Sequence, residues 1–268
     1  MWMKEMFGVD KPIIALLHLD PLPGDVDYCG SMQPVIEHAK QDLMALQNGG
    51  VDGILIANEF YKPGSPETEF CTVAAMAYAV GYLKDYIKVP YGVNVVLNGI
   101  AAIDLAAATD AQFIRSTFTE VSVGSYGIHF GNQRAAFTRR NALDRKDLKM
   151  FYKINPEGDV FLADRSVEDA VRAVLISRCA DALCVSGSGA GNSTSIDLIR
   201  EVKKMSPETP VFANTGVSLE NVEETMKYAD GACIGTYFKE DGKLLYTRVD
   251  EQRVRAFMEK MKEIRAKL

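Results

Sequence analysis

Short apolar runs recur along the chain, and many of them follow a small residue and an aspartate. The pattern is seen in "GGVDGILIAN" (49–58), "ATDAQFIRST" (108–117), "CADALCVSGS" (179–188) and "YADGACIGTY" (228–237). Related runs are "PIIALLHL" (12–19), "YGVNVVLN" (91–98), "PVFANTG" (210–216) and the least regular one, "LKMFYKI" (148–154). Short apolar runs bounded by Gly, Asp or Pro are typical of strands buried on both faces, as in parallel sheets. The pattern predicts eight strands.

Segments with helical periodicity alternate with these strands. One apolar stripe contains Ile36, Ala39, Leu43 and Leu46 and ends at Gly49, a residue that favours helix C-termini. Further helix starts are predicted at Ser65 (with Pro66 in the first turn and Glu67 as a favourable acid), Ser166, Thr194, Ser218 and Asp250. Strands that alternate with helices of similar length predict crossover units and a parallel sheet.

The predicted fold is therefore an α/β protein, a (β/α)8 TIM barrel in one domain over residues 1–268. A doubly wound open sheet is the alternative, but no GxGxxG follows the first strand. The longest departure from the alternation is the segment 119–141, which is rich in glycine and aromatic residues. We expect a long loop there, and long loops in compact domains are usually functional.

Composition narrows the classes of partner. The net charge is −6 with an isoelectric point near 5.2, so no excess positive charge favours binding to nucleic acid. No apolar stretch is long enough to span a membrane, and the five cysteines form no CxxC, so we expect a cytoplasmic protein with reduced thiols. The three histidines are dispersed without HxH or HExxH, which predicts neither a dedicated metal site nor a cofactor.

Glycine-rich turns follow the last three predicted strands, in "SGSGAGNST" (186–194), "NTGVS" (214–218) and "IGTYFK" (234–239). In TIM barrels, phosphate groups often bind at the loops after strands seven and eight, where backbone N–H groups hold an anion without lysine. The alternative is that these glycines serve tight turns alone. The residues predicted to bind phosphate are Ser186, Gly187, Ser188, Gly189, Gly191, Asn214, Thr215, Gly216, Gly235 and Thr236.

Polar residues at the ends of apolar strands form a second group of candidates. Strand alternation places His18 and Asn98 at the barrel mouth if their faces point inward. Arg115 lies within a strand, where its charge requires a carboxylate or a ligand anion. Lys153 is a candidate for Schiff-base chemistry and Glu59 for a general base. Four of these residues also have a structural interpretation: His18 as a hydrogen-bonded rim histidine, Arg115 as part of an ion pair, Lys153 as a solvated lysine and Glu59 as a residue out of phase with Asn58.

Several motifs, in this order and spacing, resemble the BtpA/SgcQ family over nearly the whole chain. They are "HLDPLPGDVDYCGS", "GGVDGILIANEF", "YGVNVVLN", "FIRSTF", "DALCVSGSGAG", "NTGVSLENV" and "ADGACIGTYFKEDG" followed by "VDEQRV". The resemblance implies a barrel of the ribulose-phosphate-binding type. It also implies an association with photosystem I biogenesis in cyanobacteria, or with sugar-utilisation gene clusters elsewhere, but no assigned reaction.

Individual positions carry the resemblance. Six groups of positions in this chain match motifs of the family. They are His18 and Pro21 to Gly24; Gly92-Val93-Asn94 and Asn98; Phe113-Ile114-Arg115; the glycine loop from Ser186 to Gly191; Thr215 to Val217; and Gly235 to Lys239. The chain departs from the family where Ala57-Asn58 replaces Glu-Asn, with Glu59 displaced, and where Lys153-Ile154-Asn155-Pro156 replaces a Lys-His pair. These departures indicate a divergent branch with a changed substrate.

Two functional hypotheses follow. In the first, the protein is an enzyme that acts on a phosphorylated sugar or nucleotide-like metabolite by isomerase or aldolase-type lyase chemistry. In the second, it is a non-catalytic assembly or biogenesis factor that keeps the barrel as a binding module, because fold alone does not define function. The segment "FCTVAAMAYAVGYL" (70–83) is apolar nearly all round, which predicts a homo-oligomer.

Overall fold

The computed structural model describes residues 2–60, 64–65, 67–189, 191–242 and 247–268. In chain order its strands are β1 (Ile13–His18), β2 (Gly53–Ala57), β3 (Tyr91–Asn94), β4 (Phe113–Ser116), β5 (Val121–Gly124), β6 (Gly127–Phe130), β7 (Lys149–Lys153), β8 (Val160–Phe161), β9 (Ala182–Val185), β10 (Val211–Ala213) and β11 (Gly231–Ile234). Eight of them form a closed parallel barrel in the order β1-β11-β10-β9-β7-β4-β3-β2. The predicted TIM barrel is confirmed, including the strand at 148–154 with the weakest pattern.

Helices surround this barrel. They are α1 (Trp2–Phe7), α2 (Met32–Asn48), α3 (Phe70–Leu83), α4 (Gly99–Thr109), α5 (Gln133–Ala142), α6 (Val167–Ser177), α7 (Ile196–Met205), α8 (Val222–Thr225) and α9 (Glu251–Arg265). Within the described ranges, no helix combines the length and apolarity that crossing a membrane would require.

Two of the predicted helix starts agree with the structure, and two helices begin a few residues later than predicted. Ser166 caps α6 in a complete capping box, and Asp250 caps α9. The helices predicted from Thr194 and Ser218 begin slightly later, at Ile196 and Val222.

The predicted start at Ser65 is wrong, because α3 begins only at Phe70. The Ser65 hydroxyl does accept a hydrogen bond from the backbone N–H of Glu67, but neither residue belongs to the helix. Pro66, which was part of that prediction, lies outside the described residues.

Two apolar layers hold the barrel together. The inner layer fills its centre with side chains such as Ile14, Leu55 and Phe113, while the outer layer lies between the strands and the helices. Helix α1 packs under the inner layer, since Phe7 contacts Phe113 with ring centroids 5.8 Å apart. The N-terminal end of the barrel is therefore closed by aromatic packing, and polar chemistry is left to the opposite end.

The segment 119–141 is not the irregular loop that its glycine content predicted. It contains the β5–β6 hairpin and then most of α5. Strand β8, from the connection after β7, pairs with β5 and completes a small antiparallel sheet in the order β6-β5-β8. The sheet depends on this distant pairing, which local sequence patterns do not reveal.

Candidate active site at the barrel mouth

A cavity of about 130 Å³ opens at the C-terminal ends of β1, β10 and β11. We call it the glycine cavity, because three of the predicted glycines, Gly191, Gly216 and Gly235, line it together with Thr215 and Thr236. The side chains of His18 from β1 and Arg115 from β4 complete the wall. Residues from the turns after three successive strands thus line one space.

Close approach of backbone segments explains why glycine is required in these turns. At Gly216 the backbone has φ +63°, and a Cβ would lie 2.3 Å from the backbone nitrogen of Ser193. At Gly235 a Cβ would lie 2.8 Å from His18 Cε1. Both positions therefore combine a turn with a close neighbour, and any side chain would displace either the glycine loop or the histidine.

Backbone amides at two of the turns are available to a ligand. The N–H groups of Gly216, Val217, Gly235 and Thr236 make no hydrogen bond to any part of the chain that the structure describes. All four residues line the glycine cavity. Such amides stabilise an anion without a cationic side chain.

In the loop after β9 (186–194), two backbone amides already donate hydrogen bonds within the protein. Gly187 donates its N–H to Thr215 Oγ1 at 2.6 Å, and Ser186 donates its N–H to Asn155 Oδ1 at 2.9 Å. Ser188 and Gly189 do not line the cavity; the Ser188 hydroxyl accepts a hydrogen bond from the Asn192 side chain. The described residues of this loop therefore support the cavity wall, and among them Gly191 alone lines the cavity.

His18 is the most unusual side chain of the cavity. It is 2% exposed, and neither ring nitrogen has a hydrogen-bond partner in the described part of the chain. Burial, followed by the positive charges of Lys239 and Arg115, lowers the pKa of His18 well below its usual value. A neutral imidazole with two unsatisfied nitrogens can donate one hydrogen bond and accept another, and leaving both unmade is costly.

Arg115 lies at the centre of a buried polar network. Its guanidinium donates to Asn214 Oδ1 at 2.7 Å, and the Asn214 amide donates to Glu157 Oε1 at 2.6 Å. The same Glu157 oxygen accepts from the Ser186 hydroxyl at 2.6 Å and lies 3.3 Å from Lys153 Nζ. The guanidinium thus has one hydrogen-bond acceptor within the fold, yet it still faces the cavity and its Nε has no partner among the described residues.

A second cavity, of about 220 Å³, lies on the other side of this network. We call it the hairpin cavity, because Ser125 and Tyr126 from the β5–β6 turn line it, opposite Asn94 and Ser116 from the barrel. Lys153 belongs to this cavity rather than to the glycine cavity.

Glu59, Arg115 and Glu157 line both cavities and form the wall between them. Burial and then the charge of Glu157 raise the pKa of Glu59. Burial also acts to raise the pKa of Glu157, but Lys153 and Arg115, with the Ser186 hydrogen bond, lower it overall. Two carboxyl groups with opposite pKa shifts are the usual sign of divided acid and base roles.

Asn98, predicted to act at the mouth, lines neither cavity. Its side chain accepts a hydrogen bond from the backbone N–H of Ala101 at 2.9 Å and caps α4. Strand β3 ends at Asn94, so the alternation assumed for Asn98 stops four residues too early. The correction follows from the helix start, where Asn is favoured.

Glu157 was missing from the sequence prediction. It follows Pro156 just beyond β7, at the same end of the barrel as the other candidates. Its position after a strand was the only available signal, and the absence of a recognisable motif concealed it.

Within the described ranges, no group of three or more His, Cys, Asp or Glu side chains is arranged to hold a metal ion.

The closed parallel barrel and the polar mouth define a TIM-barrel protein of the class whose sites lie at the C-terminal strand ends. Residues 9–263 match the model of the BtpA family, and the chain belongs to that family.

Two curated relatives extend over almost the whole chain. The putative sgc region protein SgcQ of Escherichia coli is 42% identical over 266 residues, which cover 98% of this chain and 99% of that protein. The photosystem I biogenesis protein BtpA of Synechocystis is 29% identical over 262 residues, which cover 97% of this chain and 91% of that protein.

Solved structures agree with the fold. One similar structure is (S)-3-O-geranylgeranylglyceryl phosphate synthase from Thermoplasma acidophilum in complex with sn-glycerol-1-phosphate, with a TM-score of 0.59. The two chains are 16% identical, and 97% of each is covered. At this identity the likeness concerns the barrel alone.

Proposed function

We propose that this protein is an enzyme that binds a small phosphorylated metabolite at the barrel mouth and catalyses proton transfer next to a carbonyl group, as in sugar-phosphate isomerases or aldolase-type lyases. The observation that carries the proposal is His18, whose two buried ring nitrogens have no partner among the described residues and which lines the glycine cavity. Buried polar atoms are normally satisfied, so an unsatisfied pair in a cavity favours a ligand.

The phosphate is proposed to bind at the turns after β10 and β11. The amides of Gly216, Val217, Gly235 and Thr236 supply donors, and Arg115 contributes positive charge within the same cavity. Thr215 is proposed to support this site indirectly, because its hydroxyl accepts the Gly187 N–H. An anion held by backbone amides needs no lysine in contact.

Proton transfer is assigned to Glu59. Burial and the charge of Glu157 raise its pKa, and a carboxyl group with a raised pKa takes up and returns a proton more readily than an ordinary glutamate. As base it would remove the proton from the carbon beside the carbonyl, while His18 and Arg115 stabilise the negative charge that develops on the carbonyl oxygen. Returning that proton to the former carbonyl carbon, with one proton moved from the hydroxyl oxygen to the former carbonyl oxygen, completes an isomerisation. In the lyase reaction Glu59 would instead remove the proton of the hydroxyl group on the second carbon from the carbonyl. The bond between that carbon and the carbon beside the carbonyl then breaks, which gives a new carbonyl compound and an enolate that takes the proton back on carbon.

A non-catalytic binding module is the second candidate. The relative from Synechocystis is named for photosystem I biogenesis, and it matches 97% of this chain. A barrel that binds an anion at the turns after β10 and β11 but catalyses no reaction would fit that hypothesis equally well.

Thermal unfolding in the presence of a panel of sugar phosphates tests the ligand class. We expect stabilisation by at least one ligand, and loss of that stabilisation in Gly235→Asp, which places a carboxylate where the anion is proposed to bind. Ala108→Asp is the control, because it adds the same charge at an exposed position on α4 that lines neither cavity. No response to any member of the panel would contradict the phosphate site.

Turnover then separates the two candidates. With a ligand that binds, we expect product formation by the wild type and its loss by a factor of about 10² or more in Glu59→Gln, with binding retained. Binding without turnover under all conditions would favour the binding module.

A further inference from the structure

The hairpin cavity and the glycine cavity meet at a wall of three charged side chains, Glu59, Arg115 and Glu157. A ligand anchored by a phosphate in the glycine cavity would have to pass these groups to reach the hairpin cavity. Its reacting carbons would then lie beside Glu59, between the two cavities. Each cavity alone is smaller than an ordinary small-molecule site, whereas the two together approach that size.

We infer that the hairpin cavity is the subsite for the hydroxylated end of the same ligand, which makes the substrate a monophosphorylated sugar or polyol rather than a bisphosphate. The inference rests on the proposed function and deepens it, because it assigns the far end of the substrate and a role for the β5–β6 hairpin.

Buried polar side chains support a ligand at this place. Asn94 is 7% exposed and Ser116 is 4% exposed, and neither side chain makes a hydrogen bond to the described residues. Both line the hairpin cavity, opposite the hydroxyl-bearing turn residues Ser125 and Tyr126. Hydroxyl and amide groups donate as well as accept hydrogen bonds, which suits the hydroxyl groups of a sugar.

The charges around the hairpin cavity disfavour a second phosphate. Neither of its cations is free for a second phosphate: Lys153 lies 3.3 Å from Glu157 Oε1, and Arg115 is already assigned to the phosphate in the glycine cavity. Glu59, Glu157 and Asp159 add three carboxyl groups to the lining. A phosphate there would be repelled by these carboxylates, and the partly buried location strengthens the repulsion.

The β5–β6 hairpin thereby acquires a function. Its turn brings Ser125 and Tyr126 to the barrel, and the β7–β8 connection brings Asp159. The small antiparallel sheet thus forms a wall that the eight barrel strands do not supply.

Isothermal titration with inorganic phosphate, glycerol phosphate, pentose and hexose monophosphates and a hexose bisphosphate tests the inference. We expect the pentose or hexose monophosphates to bind at least tenfold more tightly than glycerol phosphate. Asn94→Leu and Ser116→Val should each weaken the longer ligands about three- to tenfold, the effect of one lost hydrogen bond, and leave glycerol phosphate unchanged. The bisphosphate should bind more weakly than the corresponding monophosphate.

Gly235→Asp serves as the reference variant, because it should weaken every phosphate ligand. If Gly235→Asp abolishes binding while Asn94→Leu and Ser116→Val leave the longer ligands unaffected, the second subsite is wrong and the phosphate site stands. If no phosphate compound binds the wild type, the proposed function fails and the subsite with it. Tyr126→Phe and Ser125→Ala repeat the comparison in an exposed turn, so that a folding defect in the buried variants does not decide the outcome.

Discussion

Glu59 and Glu157 lie in the same wall between two cavities, yet their surroundings shift their pKa values in opposite directions. The difference is one of partners. Glu157 has Lys153, Asn214 and Ser186 within hydrogen-bond or ion-pair distance. The Glu59 carboxyl group makes no hydrogen bond to the described residues, and it also faces the negative charge of Glu157. A partly buried carboxyl group without a hydrogen-bond partner is the better proton carrier, and the paired group is the better fixed charge.

Replacing Glu59 should stabilise the protein while abolishing activity. A carboxyl group whose folded-state pKa is raised favours folding below its unfolded value, near 4.5, and this contribution is lost as the pH rises through the folded value. Glu59→Gln keeps a neutral side chain at every pH. We therefore expect its free energy of unfolding to exceed that of the wild type by about 1 kcal/mol at pH 8 and to match it near pH 4, measured by urea titration.

Glu157→Gln is the matched variant and should behave in the opposite way. The pKa of Glu157 is lowered in the fold, so its charge stabilises the fold above pH 4.5 and ceases to do so as the pH falls through the lowered value. Removing this charge leaves Arg115 and Lys153 without their shared carboxylate. We expect a loss of about 1–3 kcal/mol at pH 8. Equal effects of the two glutamine variants would contradict the assignment of different roles.

His18 should make the protein sensitive to mild acid. Because its folded-state pKa lies well below 6.5, the stability that the neutral ring contributes is present above pH 6.5 and is lost as the pH falls from there towards the folded value. His18→Gln does not titrate. We expect the difference in unfolding free energy between wild type and His18→Gln to shift against the wild type between pH 7.5 and pH 5.5. A constant difference over this range would mean that His18 is not held neutral by the fold.

Asn98→Ala separates a helix cap from a catalytic residue. Since Asn98 accepts the Ala101 N–H and lines neither cavity, the substitution should cost about 1 kcal/mol of stability and leave ligand affinity and turnover unchanged. Ser31→Ala removes the corresponding hydrogen bond at the start of α2 and should cost a similar amount. A loss of turnover in Asn98→Ala at unchanged stability would restore Asn98 to the site.

The prediction of a homo-oligomer can be tested at α3. Phe70 is 96% exposed on this helix, and Tyr78 and Tyr82 are also exposed. We expect sedimentation of the wild type to show an oligomer at micromolar concentration and Tyr78→Lys to shift it towards the monomer, because a charge disfavours burial of this face. Monomeric wild type would contradict the prediction.

Much of the barrel could be predicted because its signal is local and repeated. Each strand is a short apolar run buried on both faces, as the burial of β1, β2 and β9 shows, and the order of such runs determines the order of a parallel barrel. The glycine turns were likewise predictable, since strand ends in such a barrel meet at one mouth. The β5–β6–β8 sheet was not, because it depends on pairing between Val123 and Val160, which are far apart in the chain.

The site, like the fold, was partly predictable from the sequence and partly decided by the tertiary structure. The sequence alone determined that a TIM barrel would carry His18, Arg115 and the turns at Gly216 and Gly235 towards one end, because strand alternation and chain order are properties of the sequence. Only the tertiary structure decided that Asn98 caps a helix, that the Gly187 amide is already bonded, and that Glu157 stands opposite Glu59. Those outcomes depend on which groups approach within hydrogen-bond distance after folding, and on how far each carboxyl group is removed from water.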